Sequence, residues 1–248
     1  MIKSILCGVA LSFSAWAVQA QNQMTSDSPI QKNDISVSLN LGVGSYIGMS
    51  APKPNLSEYS LSAPMSGWFD KKLMLDLEGR WFVSETWALK LTGGFIYSNN
   101  PGHDEVLGTE STDMGSVPTY KAVPNSDNIQ YAFGLGVDKY LSTKNRNLFF
   151  RIGGEVGFAY GKVTAKADTK EYMGASVAEA YAYRIAPLVG MDYYFADDLL
   201  FIGIDVRPVA YQYSTYKEKP QSGLKALSSN NHTVAFISQP MIKFGVKF

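Results

Sequence analysis

The chain has 248 residues, 22 basic and 22 acidic side chains, and a single cysteine. That length suits one barrel-sized domain. The even charge balance argues against a nucleic-acid binder that works through a basic surface, so no nucleic-acid partner is expected.

Residues 1–20, MIKSILCGVALSFSAWAVQA, carry one lysine, an apolar core from Ile5 to Val18 and a small-residue end at Val18-Gln19-Ala20. This is the pattern of a cleaved secretory signal, which places the start of the mature chain at Gln21. Cys7 leaves with the signal, so the mature protein meets the oxidising periplasm without a thiol. Lipid attachment at Cys7 is disfavoured because almost no apolar segment precedes it. No uncharged run of about 18 residues follows, so any membrane span must be made of strands.

Residues 21–33 are polar and read as a short periplasmic lead-in to a domain spanning 34–248. The first strand opens at Asp34, where Ile35, Val37, Leu39, Leu41 and Val43 alternate with Ser36, Ser38, Asn40, Gly42 and Gly44. Such a period of two marks a strand with one apolar face. After a Pro/Ser-rich loop, Lys72 to Val83 forms a second strand, and only Ser84-Glu85-Thr86 separates it from a third, Trp87 to Ser98. That spacing makes the two a hairpin. A long loop leads to a fourth strand from Ile129. The turn STKNRN then leads to a fifth from Leu148, and Lys162 to Glu179 reads as another loop. A sixth strand, Tyr181 to Phe195, reverses at Ala196-Asp197-Asp198 into a seventh. A polar loop from Ser214 to Asn231 precedes the last strand, Val234 to Phe248.

Eight strands result, joined by alternating long and short connections. Membrane barrels have this rhythm because short turns and long loops occupy opposite ends. The fold predicted is therefore all-β, an eight-stranded antiparallel up-and-down transmembrane barrel.

The distribution of charge sets the faces. Asp76, Glu78, Arg80, Lys90, Asp138, Arg151, Glu155, Arg184, Asp192, Asp205, Arg207, Lys243 and Lys247 all fall on the polar parity, and the apolar parity carries no charge through the strand centres. A soluble barrel would turn its charged face to water, as lipocalins do. A membrane barrel turns it inward, because Lys or Arg facing mid-bilayer lipid costs roughly 2–4 kcal/mol. Glycines crowd the same polar parity, as a narrow lumen requires to leave room for larger residues. Aromatic residues of the apolar parity gather at strand ends: Trp81, Trp87, Tyr193, Phe195 and Phe248 near the short turns, and Tyr97, Tyr131, Tyr160, Tyr181 and Tyr183 near the long loops. They read as two interfacial girdles. Pro187, Pro208 and Pro240 interrupt strands six to eight, and are expected at bulges near the outer interface because proline cannot donate to a ladder.

The lumenal charges are expected to pair into a network that closes the lumen, with Lys243 and Lys247 turned toward acids such as Asp76 or Asp192. Neither a catalytic site nor a metal or cofactor site is expected. The catalytic alternative would combine Ser98, His103 and Asp104 in an external loop, or use His232, and no feature of the sequence sets that geometry. The acidic second loop lacks the spacing of a calcium loop, and the lysines Lys217, Lys219 and Lys225 could meet anionic headgroups.

The signal, the eight alternating strands and the turn rhythm together resemble the small outer-membrane barrels of the OmpX type and the transmembrane domain of OmpA. The terminal IKFGVKF, with Phe244, Val246 and Phe248 on one face, looks like the C-terminal signal read by the barrel-assembly machinery. The resemblance implies residence in the outer membrane, termini in the periplasm, and contact with membrane lipid and lipopolysaccharide. Because the chain stops at Phe248, the peptidoglycan-binding domain of OmpA is not implied. A monomeric, non-enzymatic envelope protein is expected, with a narrow pore for small solutes or a lipid-modifying enzyme as the alternatives.

Overall fold

The structure is a computed structural model that describes residues 28–43, 47, 73–108, 118–120, 122–167 and 174–248. The segment expected to be an export signal, with Cys7, and the first long loop apart from Ile47, lie outside these residues. Eight strands follow one another: β1 Ile35–Val43, β2 Leu73–Ser84, β3 Trp87–Asn100, β4 Asn125–Ser142, β5 Leu148–Ala167, β6 Gly174–Phe195, β7 Leu200–Lys219 and β8 Leu227–Lys247. Each pairs antiparallel with the next, and β8 closes on β1 in a single ring. The seam of closure runs from Ser36 opposite Lys247 to Gly42 opposite Met241. It is finished by reciprocal backbone bonds between Ile35 and Phe248, at 3.1 and 2.7 Å.

The predicted faces are the observed ones. Leu39, Leu77, Leu91, Leu135, Ile152, Ile185 and Ile242 form a continuous exposed apolar band, while Asn40, Glu78, Lys90, Asp138, Arg151 and Lys243 are buried inside. Water would not tolerate a band of that extent, and hydrocarbon requires it.

At one end the turns are tight. Ser84 Oγ accepts from the Trp87 amide at 3.1 Å and so closes the β2–β3 turn. Between β6 and β7, Ala196, Asp197 and Asp198 all take positive φ (51°, 56° and 65°). At the other end the wall is taller than predicted. The segment read as a loop from Lys162 to Glu179 is mostly strand, since β5 runs to Ala167 and β6 starts at Gly174. Likewise β7 continues to Lys219 and β8 begins at Leu227. Above the lipid the polarity pattern inverts: Val163, Ala165, Ala178 and Ala180 are buried inside, while Lys162, Lys166 and Glu179 face out. A search for strands with a greasy outer face stops where that inversion begins.

The three prolines lie beside interruptions of the ladder. On the β7 side of β6, pairing breaks between Ile185 and Val189, on either side of Pro187, which still stands opposite Gly154 of β5. Between β7 and β8 the register shifts from Asp205 opposite Met241 to Arg207 opposite Ser238, which places Gln239 and Pro240 in a bulge. Ile237 and Gln239 there adopt φ of 52° and 46°. An extra residue reverses a strand's faces. Inward positions on β7 accordingly change from Asp205 and Arg207 to Ala210, Gln212 and Ser214, and Tyr211 turns outward with Tyr213 beside it.

Candidate functional site

The lumen is filled in three layers. Nearest the tight turns is an aromatic stopper of Phe82, Tyr140, Phe149, Tyr194 and Phe201, packed with Ala88 and capped by Ile30 from the segment before β1. These rings lie on the charged parity at strand ends. Phe149 and Tyr194 meet edge to face, with centroids 5.8 Å apart, which is a favourable arrangement of ring quadrupoles. The stopper touches the next layer through cations over ring faces: the Arg80 guanidinium is 5.9 Å from the Tyr140 centroid and 5.8 Å from that of Phe201.

The middle layer is the charge network. Its lower half is built on two arginines. Arg80 reaches Glu78 at 2.5 Å, Asp192 at 2.8 Å and the Tyr140 hydroxyl at 2.6 Å. Arg151 reaches Asp192 at 2.8 Å and Asp138 at 3.1 Å, and also holds Asp205. Lys243 bonds Glu78 at 2.8 Å and pairs with Asp205. In the upper half Glu155 accepts from Arg207 at 2.6 and 3.1 Å, from Arg184 at 2.8 Å and from Lys90 at 3.1 Å. Lys90 joins the halves, lying 3.7 Å from Asp138. Asp76 interacts electrostatically with Arg184 and Arg207.

Six acids and six bases thus meet in a volume almost closed to water. Buried charges are tolerable only when paired and hydrogen-bonded in this way. Lys247 stands apart from them. It binds Asp34 at 2.8 Å at the tight-turn rim, and does not turn toward Asp76 or Asp192. Lys243 likewise chooses Glu78 and Asp205.

Glycine makes the flat packing of the acids possible. Asp138, Asp192 and Asp205 stand directly across from Gly153, Gly203 and Gly190 on the neighbouring strand. A Cβ added to Gly190 would come within 2.4 Å of Asp205 Oδ1.

The third layer, toward the long connections, is lined by small residues. Ala159, Ala178, Ala180 and Ala182 pack with Tyr216, and Ile47 from the segment between β1 and β2 is buried against them. Beneath lies a cavity of about 40 Å³ bordered by Met74, Asp76, Ala132, Arg184 and Gln212. That is room for a few waters.

Sequence reasoning missed the aromatic stopper, Asn40, Tyr140 and Gln239. Asn40 donates to Glu78 at 3.2 Å, Tyr140 donates to Asp192 at 3.2 Å, and Gln239 accepts from Arg184 at 2.5 Å. Shared parity with the charged residues would have found the first two. Gln239 sits in the bulge, where parity is undefined.

The two histidines have other partners. His103 continues the β3–β4 hairpin by pairing with Val123, and its Nδ1 lies 3.1 Å from the Asp104 carbonyl oxygen. His232 faces outward on β8 with its Nδ1 2.7 Å from the Tyr211 hydroxyl. The structure brings neither histidine to Ser98 or to the Asp104 carboxylate. Among the described residues no group of three or more His, Cys, Asp or Glu is placed to hold a metal ion.

The model of the putative OmpA-OmpF-like porin family matches residues 61–248. The chain belongs to that family. Solved structures similar to this porin-family barrel include the outer membrane protein OprG from Pseudomonas aeruginosa, at 14% identity, a TM-score of 0.43, and coverage of 90% of this chain and 99% of that one. Another is Ail of Yersinia pestis in complex with the heparin analogue sucrose octasulfate, at 13% identity, a TM-score of 0.41, and coverage of 88% and 100%. A major outer membrane protein of Thermus thermophilus matches at 11% identity, a TM-score of 0.45, and coverage of 86% and 99%. None of the curated proteins matches the chain. As a member of this porin family, the protein resides in the outer membrane, with its exposed apolar band in the lipid.

Proposed function

We propose that the protein is a non-enzymatic structural barrel with a lumen closed to solutes, and that its long connections and outer wall face lipopolysaccharide and surface partners. The observation that carries this reading is Arg151. It has no accessible surface and lies among Asp138, Asp192 and Asp205 across the lumen. With the aromatic stopper below and Ile47 above, a permeating solute would have to separate these ions in a low-dielectric space. Purified protein reconstituted into planar bilayers is expected to give no reproducible single-channel steps. Regular conductance steps would replace this reading with the narrow-pore alternative. Enzymatic use of the lumen has no support in the geometry, because Glu78, Asp138, Glu155, Asp192 and Asp205 each hold a cation.

The ring has no free edge strand, so a monomer satisfies its own backbone. Phe244, Val246 and Phe248 are proposed as the segment that the barrel-assembly machinery reads. Phe244 is exposed and the other two are half-exposed on the lipid face of β8. Phe248→Ser is therefore expected to lower the amount of folded protein in the outer membrane several-fold while leaving detergent refolding of purified chain intact. Unchanged membrane levels would remove that role.

A further inference from the structure

The upward extension of β5, β6 and β7 brings together lysines that lie far apart in the chain. Lys162 of β5 is opposite Glu179 of β6, which is opposite Lys217 of β7, in one row across the wall. One step above, Thr164 is opposite Val177, which is opposite Lys219. Lys166 completes the group near the top of β5. All of these side chains alternate with buried neighbours and face outward. Glu179 is bound to Lys162 at 3.2 Å. Four cations therefore share a sector with two carboxylates: Glu179, engaged by Lys162, and at its edge Asp127 of β4, which stands opposite Thr164 and accepts from Asn99 at 2.7 Å.

The sector has a defined height. Two residues below the lysine row, Tyr160 stands opposite Tyr181, and two lower still Tyr183 stands opposite Tyr213. These rings belong to the outer interfacial girdle, and one two-residue step up a tilted strand is about 5 Å. The lysines thus lie at the level where lipid headgroups begin. They project from continuous ladders, so their depth is set by the wall and not by a loop. On the β7 side the sector ends at β8, which presents Asn230 and His232 at similar height.

We infer that the outward face of β5–β7, carrying Lys162, Lys166, Lys217 and Lys219, is a binding site for the phosphate groups of a phosphorylated outer-leaflet lipid. Lys217 and Lys219, about 7 Å apart along one strand, are spaced to close on a single phosphate. Lys162 and Lys166 offer a second position across β6, and acyl chains descend from there along the exposed tyrosines and apolar band. A soluble polyanion would have no reason to select cations at this depth. The inference rests on residence in the outer membrane and is independent of whether the lumen conducts.

The test uses the full barrel in neutral detergent micelles, with lipid adducts titrated by native mass spectrometry. Three probes are compared: lipid A carrying two phosphates, its dephosphorylated form, and inorganic phosphate. The wild-type barrel is expected to bind the diphosphorylated lipid at least about tenfold more tightly than the dephosphorylated one. K217Q/K219Q alone should lose about thirtyfold of that affinity, and K162Q/K166Q/K217Q/K219Q more than that, on the basis of the roughly fivefold attraction of each lysine near an anionic surface. A control in the tight turns, K144Q, should bind as wild type. Folding of each variant is checked by heat-dependent gel mobility. Equal binding of the two lipids, unaltered affinity in the folded lysine variants, or inorganic phosphate competing as well as the lipid would overturn the site. A conducting channel would leave these results unchanged and would count only against the closed lumen.

Discussion

Replacement of Arg151 by methionine is expected to destabilise the folded barrel by about 3–5 kcal/mol, the usual cost of removing one partner from a buried ion pair. Methionine fills much of the arginine's volume, so the loss is one of charge and hydrogen bonds and not of packing. Asp192 would keep Arg80 at 2.8 Å, and Asp205 would keep Lys243. Asp138 would fare worst, because its remaining cations, Arg80 and Lys90, both lie 3.7 Å away. Arg151→Lys is expected to recover only part of the loss, since a single ammonium cannot span three carboxylates as a planar guanidinium does. Urea unfolding in micelles, followed by tryptophan fluorescence and heat-dependent mobility, measures both variants. A methionine variant within about 0.5 kcal/mol of wild type, the range of an ordinary surface substitution, would show that the network adds little to stability.

What the sequence made legible follows from the solvent around each segment. Through the bilayer, hydrocarbon forbids charge on one face, so the alternation from Leu73 to Val83 in β2, or from Ile129 to Val137 in β4, exposes strand and orientation together. Above the lipid that constraint lapses. Lys162, Lys166 and Glu179 face out, and with polar residues outside and alanines inside, the taller wall read as a loop. Parity also stops informing at a bulge, which is why Tyr211 was not assigned to the outer girdle and Gln239 was not assigned to the lumen. Pairing within the network is a different kind of information. Lys243 meets Glu78, 165 residues away, because β8 closes beside β1 and leaves β2 within reach of a lysine. Ring closure and stagger decide that contact, and neither is written in the alternation of any one strand. The aromatic stopper shows the converse limit. Phe82, Phe149 and Phe201 occupy the charged parity, where a rule of polar inside and greasy outside has no place for them.

Neighbouring glycines on β5 provide the sharpest contrast between the two faces. Gly153→Ala is expected to destabilise the barrel by several kcal/mol, whereas Gly154→Ala should be neutral or stabilising by up to about 1 kcal/mol. A Cβ on Gly153 would stand 2.5 Å from the Val137 carbonyl oxygen and closer still to Asp138 Oδ1. The Asp138 carboxylate cannot simply swing aside, because its other oxygen is held by Arg151 at 3.1 Å inside a closed layer. The added methyl must therefore displace backbone or separate that ion pair, and overpacking combines with a poorly compensated buried charge. At Gly154 the nearest atom to an added Cβ is the Ala186 carbonyl oxygen at 3.9 Å, an ordinary contact on the lipid side, and the methyl removes the entropic penalty of glycine in a strand. The cause at Gly153 can be isolated by a double-mutant cycle with Asp138→Ala. If the clash is with the carboxylate, the double variant should be more stable than the sum of the two single losses predicts, by about 1 kcal/mol or more. Strict additivity would move the whole effect to the Val137 backbone. Equal stability of the Gly153→Ala and Gly154→Ala barrels would refute the packing of aspartate over glycine on which the closed lumen depends.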